Sequence, residues 1–309
     1  MRFAVIDLGS NSARLLVADC KGQNLTPLHR ELITTRLGRG VAKERRLDEP
    51  SMRDTLSAVS LFKDKAARMG CDRVLAFATS AVREAENGRD FLDVVKKDAG
   101  LDVVLLEGER EAKLSFIGAR AGLGLAGMAL VVDIGGGSTE LTLGDSRIVK
   151  SVSLPMGAVK FTQIYFSSDP PAASQILAAG AAVEELLSDF AEFFGKAVPR
   201  GQIPAVGVGG TFTTLAAMVR RLEIYDPGRV HGFTLQLNEV ERVFGGLCSM
   251  TLEEKKKIPG LMPQRADIIA AGTLIALRLM KRLNLPAIRV SEWDLMEGFI
   301  FESVKFERP

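Results

Sequence analysis

Short apolar runs alternate along the chain with longer stretches of helical periodicity. Two apolar runs, Phe3 to Ile6 and Leu15 to Ala18, flank a polar turn and predict a β-hairpin. Residues 48–69 place apolar side chains on one helical face, and a strand over residues 73–78 follows them. Further helices are predicted over residues 89–98, 109–121, 172–194, 211–222, 235–248, 265–283 and 295–304, and further strands over 102–106, 129–132, 204–208 and 288–291. This alternation of strands and helices is typical of an α/β fold.

An internal repeat indicates that the chain contains two related domains. Asp7-Leu-Gly-Ser-Asn-Ser12 and Asp133-Ile-Gly-Gly-Gly-Ser138 align without gaps, and each follows an apolar run. The shared strand–turn–strand context predicts a duplication rather than a chance match. We therefore expect one domain over residues 1–122 and a second over 123–309, with a boundary in the glycine-rich stretch 118–127. The last helix, about 295–304, is expected to pack back on the first domain.

Length, charge and cysteine content narrow the class of protein. A chain of 309 residues is comfortable for two domains. The formal net charge is only +2, so bulk charge indicates no nucleic-acid partner, and a polyanionic substrate would need local basic patches. Cys20, Cys71 and Cys248 form no CxxC pair, which predicts reduced thiols rather than a zinc site or disulfides. Without a signal peptide or an apolar tract of ~18 residues, we expect a cytoplasmic protein with no membrane partner.

The repeated turns carry the chemistry of an anion site. A strand that ends in Asp and runs into Gly and Ser places a carboxylate beside backbone N–H groups that can bind phosphate. Asp7 and Asp133 could then hold a metal ion next to that phosphate. A third glycine-rich turn, Gly207-Val-Gly-Gly-Thr211, opens a helix whose N-terminus also favours an anion. Taken singly, each turn could instead be a tight hairpin or a close strand-to-helix crossing. The predicted phosphate-binding residues are Ser10, Asn11, Ser12, Gly135, Gly136, Gly137, Ser138, Gly209, Gly210 and Thr211.

Two further motifs place charged residues at helix starts. Thr79-Ser-Ala-Val-Arg83-Glu-Ala puts Arg83 one turn into a short helix, where its guanidinium could clamp a phosphate. An exposed Arg at such a position is otherwise a surface ion-pair partner. Gly108-Glu-Arg-Glu111-Ala begins the next long helix, and carboxylates there are ordinarily partners of the helix dipole.

The full set of motifs resembles the exopolyphosphatase/guanosine pentaphosphatase (Ppx/GppA) family. Besides the four motifs around residues 7–12, 79–85, 108–112 and 133–140, the match includes Gly209-Gly-Thr211, Arg265-Ala-Asp-Ile-Ile and Ser291-Glu-Trp-Asp-Leu-Met-Glu-Gly298. Order and spacing agree over nearly the whole chain. The resemblance implies two actin-like α/β domains of the ribonuclease H-like type, shared with sugar kinases and Hsp70 ATPase domains. It also implies an active site in the cleft between them.

The same resemblance implies roles for individual residues. Glu111 matches the catalytic glutamate, with Arg83 as a second catalytic residue. Asp133 and Glu140 match the acidic residues around the metal, and together with Asp7 of the first turn they are the expected ligands for Mg²⁺ or alternatively Mn²⁺. Arg14 stands at the eighth position of the first copy and Glu140 at that of the second, so the second copy is the expected metal-bearing side.

The expected reaction is release of the terminal phosphate from inorganic polyphosphate by water that Glu111 activates. Guanosine pentaphosphate is the alternative substrate, because its phosphate end is similar. An ATP-dependent sugar kinase or a non-catalytic polyphosphate or nucleotide sensor of the same fold is less favoured. We also expect a homodimer.

Two departures from the family pattern stand out. The final motif commonly has Arg before Glu-Gly, whereas this chain has Met296. Longer members carry a helical C-terminal region of the HD type, and we expect this chain to be a short form without it. Two charge runs, Lys43 to Arg46 and Lys255 to Lys257, could guide a polyanion or could simply be solvated faces. His231 is expected to be a hydrogen-bonded structural residue rather than a metal ligand.

Overall fold

The computed structural model describes residues 1–22, 24–198 and 203–305. The chain divides into two units: Met1–Gly118 together with the last helix, Leu295–Lys305, and Ala119–Asp294. The division falls after Gly118, close to the boundary expected at residue 122. The last helix groups with the first unit, although about 175 residues of the second unit separate them along the chain.

The first unit is built on a five-stranded sheet. Its strand order is β3-β2-β1-β4-β5, where β1 to β3 form an antiparallel meander and β4 and β5 run parallel to β1. The strands are β1 Arg2–Leu8, β2 Ser12–Lys21, β3 Asn24–Thr34, β4 Arg73–Ala78 and β5 Val104–Leu105. The helices are α1 Val41–Glu44, α2 Glu49–Arg68, α3 Ser80–Glu84, α4 Gly88–Ala99, α5 Gly108–Leu123, which crosses the unit boundary, and α13 Leu295–Lys305.

The second unit repeats this sheet and extends it by one strand. Its order is β8-β7-β6-β9-β11-β10, again an antiparallel meander followed by parallel neighbours, with β10 added antiparallel at the far edge. The strands are β6 Ala129–Ile134, β7 Thr139–Gly144, β8 Ile148–Leu154, β9 Ala205–Val208, β10 Thr234–Gln236 and β11 Ala287–Val290. The helices are α6 Ala158–Tyr165, α7 Ala173–Ala197, α8 Gly209–Val219, α9 Pro227–Val230, α10 Leu237–Ser249, α11 Leu252–Lys255 and α12 Ile269–Arg282. The shared topology confirms the internal duplication.

Local sequence accounts for the longest helix of the first unit. Asp48 caps α2, and its carboxylate accepts a hydrogen bond of 2.8 Å from the Ser51 N–H. Pro50 lies in the first turn, where its missing N–H costs nothing. Val59 and Phe62 lie on the buried face and join the core between this helix and the sheet. The helix ends just before Gly70, which adopts the positive φ of 65° that is common after a helix C-terminus.

Two sequence predictions were wrong at their starts. Residues 235 and 236, predicted as the start of a helix, belong instead to strand β10, which pairs antiparallel with β11. The helix expected from residue 265 begins at Ile269, after a short 3₁₀ turn at Pro263–Arg265. Among the described residues, no helix combines the length and the apolar character that crossing a bilayer requires.

Candidate active site

The two repeated turns have the same local geometry. The Gly9 N–H donates to the Ser12 carbonyl at 3.2 Å, and the Gly135 N–H donates to the Ser138 carbonyl at 3.0 Å. A Cβ at Gly9 would lie 3.0 Å from the Ser12 carbonyl oxygen, and one at Gly135 would lie 3.2 Å from that of Ser138. Glycine is therefore favoured at both positions by close backbone approach. In the first turn the Asn11 side-chain amide also donates to the Ser12 hydroxyl at 3.1 Å.

Strand register makes the two copies electrostatically different. Asp7 pairs with Arg14 across β1 and β2, and Asp133 pairs with Glu140 at the equivalent place across β6 and β7. In the first copy Arg14 Nε donates to Asp7 Oδ2 at 2.7 Å, and Nη2 lies 2.6 Å from the same oxygen. In the second copy two buried carboxylates face each other, and Glu140 accepts a 2.7 Å hydrogen bond from Ser153. Like charges directly opposite are destabilising, so this pair favours a cation.

A segment of the first unit that the sequence did not assign packs against the first turn. The carbonyl oxygen of Asn11 accepts hydrogen bonds from the N–H groups of Thr35 and Arg36, at 3.2 and 2.9 Å. The Gly38 N–H donates to the Ser10 carbonyl at 2.7 Å, and a Cβ at Gly38 would lie 2.9 Å from the Ser10 Cβ. The turn is thus held in place by backbone hydrogen bonds from the segment that follows β3.

Arg83 and Glu111 form an ion pair in the first unit. Arg83 Nη1 lies 3.1 Å from Glu111 Oε2 and also donates to the Leu106 carbonyl at 2.6 Å. Their side chains are only 19% and 9% exposed, so this is not the solvated surface pair that the sequence left open for Arg83. Within the described part of the chain, Arg83 Nη2 has no hydrogen-bond partner, which leaves N–H donors for an anion.

Sheet topology explains why these first-unit residues share one edge. Strands β1, β4 and β5 are parallel neighbours, so their C-terminal ends lie together. The first turn follows β1, α3 with Arg83 follows β4, and α5 with Glu111 follows β5. Ligands in open α/β sheets bind beyond the carboxyl ends of such strands.

The second and third turns meet in the same way in the second unit. Asp133 pairs with Val208 in the parallel register of β6 and β9, so the turns after these strands are adjacent. Gly209 has φ +81°, and a Cβ there would lie 2.5 Å from Asp133 Oδ1. A Cβ at Gly210 would overlap Arg265 Nη1 at 1.9 Å. Asp133, the two glycines and Arg265 therefore gather at the N-terminus of α8.

Arg265 is a candidate functional residue that pattern reasoning did not single out. It appeared only within a matched motif, and it precedes α12 in a 3₁₀ turn. No periodicity or spacing signal marks a residue that reaches a glycine turn 55 positions earlier. The only sign of this contact in the sequence is the glycine at position 210, where a Cβ would overlap the Arg265 guanidinium.

The remaining turn residues are partly engaged by α6. The Ala158 N–H donates to the Gly135 carbonyl at 3.0 Å, and the Val159 N–H donates to the Gly136 carbonyl at 2.8 Å. A Cβ at Gly157 would lie 2.5 Å from the Gly137 nitrogen. These hydrogen bonds hold the Gly135 and Gly136 carbonyls against the N-terminus of α6. Thr211, the last predicted residue of the third turn, is buried and its hydroxyl lies 3.4 Å from the Ile134 carbonyl.

The residue set fits a magnesium ion better at the second copy than at the first. The described residues contain no group of three or more His, Cys, Asp or Glu side chains placed to hold a metal. Mg²⁺ in phosphate-handling sites commonly uses one or two carboxylates together with waters and substrate oxygens, and the Asp133–Glu140 pair suits that need. Asp7 is less suited, because Arg14 already neutralises it.

Two other sequence expectations concern residues away from these turns. His231 Nδ1 accepts a hydrogen bond from the Glu292 N–H at 3.1 Å, and Nε2 donates to the Gly122 carbonyl at 3.0 Å, so both ring nitrogens serve the structure. Met296, at the position where Arg is common, is buried in the first unit. Its neighbour Glu297 is fully buried and accepts a hydrogen bond from Arg30 of β3.

The three cysteine thiols have no disulfide partners. Burial raises the pKa of the Cys20, Cys71 and Cys248 thiols, so they stay protonated at neutral pH. They are therefore poor nucleophiles in the folded chain.

A duplicated α/β unit with glycine-rich turns beside carboxylates at its strand ends is typical of a two-domain phosphate-handling enzyme. The model of the Ppx/GppA phosphatase family matches residues 16–307, and the chain belongs to this family. It is therefore a phosphatase.

Similar proteins match over almost the whole chain. One relative, exopolyphosphatase 1 of Mycobacterium bovis, is 33% identical over 312 residues, which cover 99% of this chain and 89% of that protein. The crystal structure of the Aquifex aeolicus family member is 33% identical, with a TM-score of 0.81, and the match covers 100% of this chain and 99% of that one. A Cytophaga hutchinsonii exopolyphosphatase is 27% identical with a TM-score of 0.91, over 100% of this chain and 99% of that chain.

Proposed function

We propose that this phosphatase is an exopolyphosphatase, which releases the terminal orthophosphate from inorganic polyphosphate. The observation that carries the proposal is the shielded Arg83–Glu111 pair at the sheet edge that also bears the first phosphate turn. The exopolyphosphatase relatives, similar over almost the full chain, favour the same substrate class.

Glu111 is the proposed general base. A buried carboxylate held by a guanidinium nitrogen keeps a fixed orientation, as a base that takes a proton from water requires. Such a base contributes roughly 10² to 10⁴ in rate. Arg83 positions this carboxylate, and its remaining N–H groups can neutralise charge on the transferred phosphoryl group.

The glycine turns provide the other requirement, which is positioning. Backbone N–H groups and the N-terminus of α8 favour phosphate oxygens, and Arg265 adds a positive charge beside Gly210. Asp133 and Glu140 would hold Mg²⁺, which supplies charge neutralisation at phosphate oxygens when it is bound. Holding the phosphate in line with the attacking water lowers the entropic cost of bringing the two reactants together in the correct geometry.

Guanosine pentaphosphate is the second candidate substrate, because the terminal phosphates of the two compounds are chemically alike and the family includes both activities in its name. A sugar kinase would need an acceptor pocket with an Asp base, whereas Asn11, Ser12 and Glu111 suit water as acceptor. A non-catalytic sensor would have no need of Glu111. The homodimer and the cytoplasmic location remain predictions.

The test compares Glu111→Gln with Glu109→Gln. Glu109 lies in the same first turn of α5 but is exposed, so it is a matched control. We expect Glu111→Gln to lower kcat for phosphate release at least a hundredfold, the lower end of the general-base range, while polyphosphate still binds. Glu109→Gln should stay within about twofold of the unaltered protein, since surface changes have small effects. Near-normal turnover by Glu111→Gln would show that Glu111 is not the general base.

The substrate is decided with the unaltered protein and Mg²⁺. Phosphate release is measured from long polyphosphate, tripolyphosphate and guanosine pentaphosphate, and ADP formation is measured from ATP with added sugars. Faster release from polyphosphate supports the proposal. Preference for guanosine pentaphosphate, sugar-dependent ADP formation, or binding of polyphosphate without phosphate release would each replace it.

A further inference from the structure

The segment from Arg36 to Arg46 concentrates positive charge on the surface of the first unit. It contains five basic residues and one acidic residue, a net charge of +4, whereas the whole chain has a net charge of only +2. We call residues 36–46 the cationic segment. Its charged side chains are exposed, while Leu37 and Val41 are buried in the core of the first unit. The segment is thus anchored by apolar residues and presents its cations to solvent.

Both ends of the cationic segment are tied to elements of the candidate site. At its start, Arg36 and Gly38 donate backbone hydrogen bonds to the first phosphate turn, at 2.9 and 2.7 Å. At its end, the Arg45 carbonyl accepts a hydrogen bond of 2.8 Å from Glu86. Just beyond the segment, the Leu47 backbone exchanges two hydrogen bonds with the buried side chain of Asn87, at 2.8 and 3.0 Å. Glu86 and Asn87 lie two and three residues beyond the end of α3, which carries Arg83, so the segment connects the first turn to the region just after that helix.

The backbone of the cationic segment is held in an uncommon conformation. Arg36 and Arg45 both have φ of 54°, in the left-handed region that non-glycine residues rarely adopt. Such conformations persist only where surrounding contacts impose them, and they concentrate at ligand sites. At Arg36 the imposing contact is the hydrogen bond to Asn11 of the phosphate turn.

Two cations in the segment are available for an anion. Arg45 and Arg46 lie 3.9 Å from Glu86, which offsets part of their charge. Arg39 and Lys43 have no ion pair with any residue that the structure describes. Salt screens surface charges beyond ~8–10 Å, so these two nearby cations would act on a bound anion more strongly than the small net charge of the whole chain.

We infer that the cationic segment binds the internal phosphates of a polyphosphate chain whose end occupies the first turn. This inference rests on the proposed function and extends it to substrate length. A chain with many phosphates extends beyond the turn and contacts the segment, whereas tripolyphosphate is short enough to lie almost entirely within the site. The segment also lacks aromatic residues, on which the bases of a single-stranded nucleic acid would stack, so polyphosphate fits it better than RNA.

The decisive variant is Arg39→Ala with Lys43→Ala. Both side chains are exposed, so folding should be unaffected. We expect KM for long polyphosphate to rise roughly five- to thirtyfold, which corresponds to the loss of two surface charge contacts. KM for tripolyphosphate should change less than about twofold, and the dependence of long-chain KM on salt should become shallower.

Two control variants separate charge from structure. Arg39→Lys with Lys43→Arg keeps both charges and should keep the KM of the unaltered protein. Arg68→Ala with Lys97→Ala removes two exposed cations at the C-terminal ends of α2 and α4. These helices precede β4 and β5, so the two cations lie near the N-terminal ends of the strands, opposite the candidate site. That variant should leave both KM values unchanged.

The outcomes also distinguish this inference from the proposed function. An equal rise of KM for both substrates, or no rise for long polyphosphate, would overturn the role of the segment while phosphate release still supports the function. If the unaltered protein releases no phosphate from polyphosphate, the function fails. Binding of labelled long polyphosphate to the unaltered protein and the double-alanine variant then tests the segment directly. Tighter binding of an RNA oligonucleotide than of polyphosphate would assign the segment to nucleic acid instead.

Discussion

Replacing Glu140 by Gln should stabilise the second unit when no divalent metal is present. Glu140 and Asp133 are buried and directly opposed across β6 and β7. Opposed residues of an antiparallel ladder have Cβ atoms ~5 Å apart, and two unit charges at that distance repel by about 3 kcal/mol at an effective dielectric constant of 20. Gln keeps an oxygen that can accept the Ser153 hydrogen bond and removes one charge. After allowance for hydrogen-bond partners, we expect the free energy of unfolding to rise by about 1–2 kcal/mol.

The single tryptophan makes this measurement specific. Trp293 belongs to the second unit, so its fluorescence during urea unfolding reports on that unit. In EDTA, Glu140→Gln should unfold at higher urea than the unaltered protein. In Mg²⁺ at ten times its Kd, binding should add about 1.4 kcal/mol to the unaltered protein and much less to the variant. Glu185→Gln, an exposed change on α7, should stay within about 0.5 kcal/mol in both conditions.

Two results would refute the reasoning. If Glu140→Gln loses stability in EDTA, the opposed carboxylates are not a source of repulsion in the folded protein. If Mg²⁺ stabilises the variant as much as the unaltered protein, Glu140 does not contribute to binding the ion. Neither readout depends on phosphate release, so both remain informative whatever the substrate is.

Three further predictions follow from other contacts. Arg14→Met removes the cation beside buried Asp7 and should cost about 2–3 kcal/mol of unfolding free energy, which the double variant with Asp7→Asn should largely recover; no recovery would contradict the pairing. Gly298→Ala places a Cβ 2.0 Å from the Leu114 carbonyl oxygen, so α13 must shift. We expect thermal unfolding to show that the free energy of unfolding falls by about 1–3 kcal/mol, and an unchanged stability would contradict this close contact. Burial raises the pKa of Cys20, so its reaction with a disulfide reagent should be slow at neutral pH, accelerate only above the ordinary thiol pKa, and become fast in urea; rapid modification of folded protein at pH 7 would count against this.

Periodicity located most of the regular structure, because helices and buried strands are local patterns. The helix expected over 48–69 is observed at Glu49–Arg68, and the strand expected over 73–78 is observed there. Strands β3 and β8 were missed. They lie at sheet edges, are only partly buried, and carry polar side chains on both faces, so their alternation is weak.

The sequence by itself determined the duplication, the glycine turns and the identity of the charged residues around them. These are visible because a turn that needs close backbone approach requires glycine locally, in both copies. Even the contrast between Arg14 and Glu140 can be seen in the aligned repeats.

Only the tertiary structure decided which charges neutralise one another. Arg83 and Glu111 are separated by 28 positions, and their pairing arises from parallel strands that bring distant loops to one sheet edge. Arg265 reaches Gly210, and the segment after β3 reaches the first turn, through contacts that no periodicity records. The physical reason is that charge pairing depends on distance in space, whereas the chain specifies directly only the order of its residues.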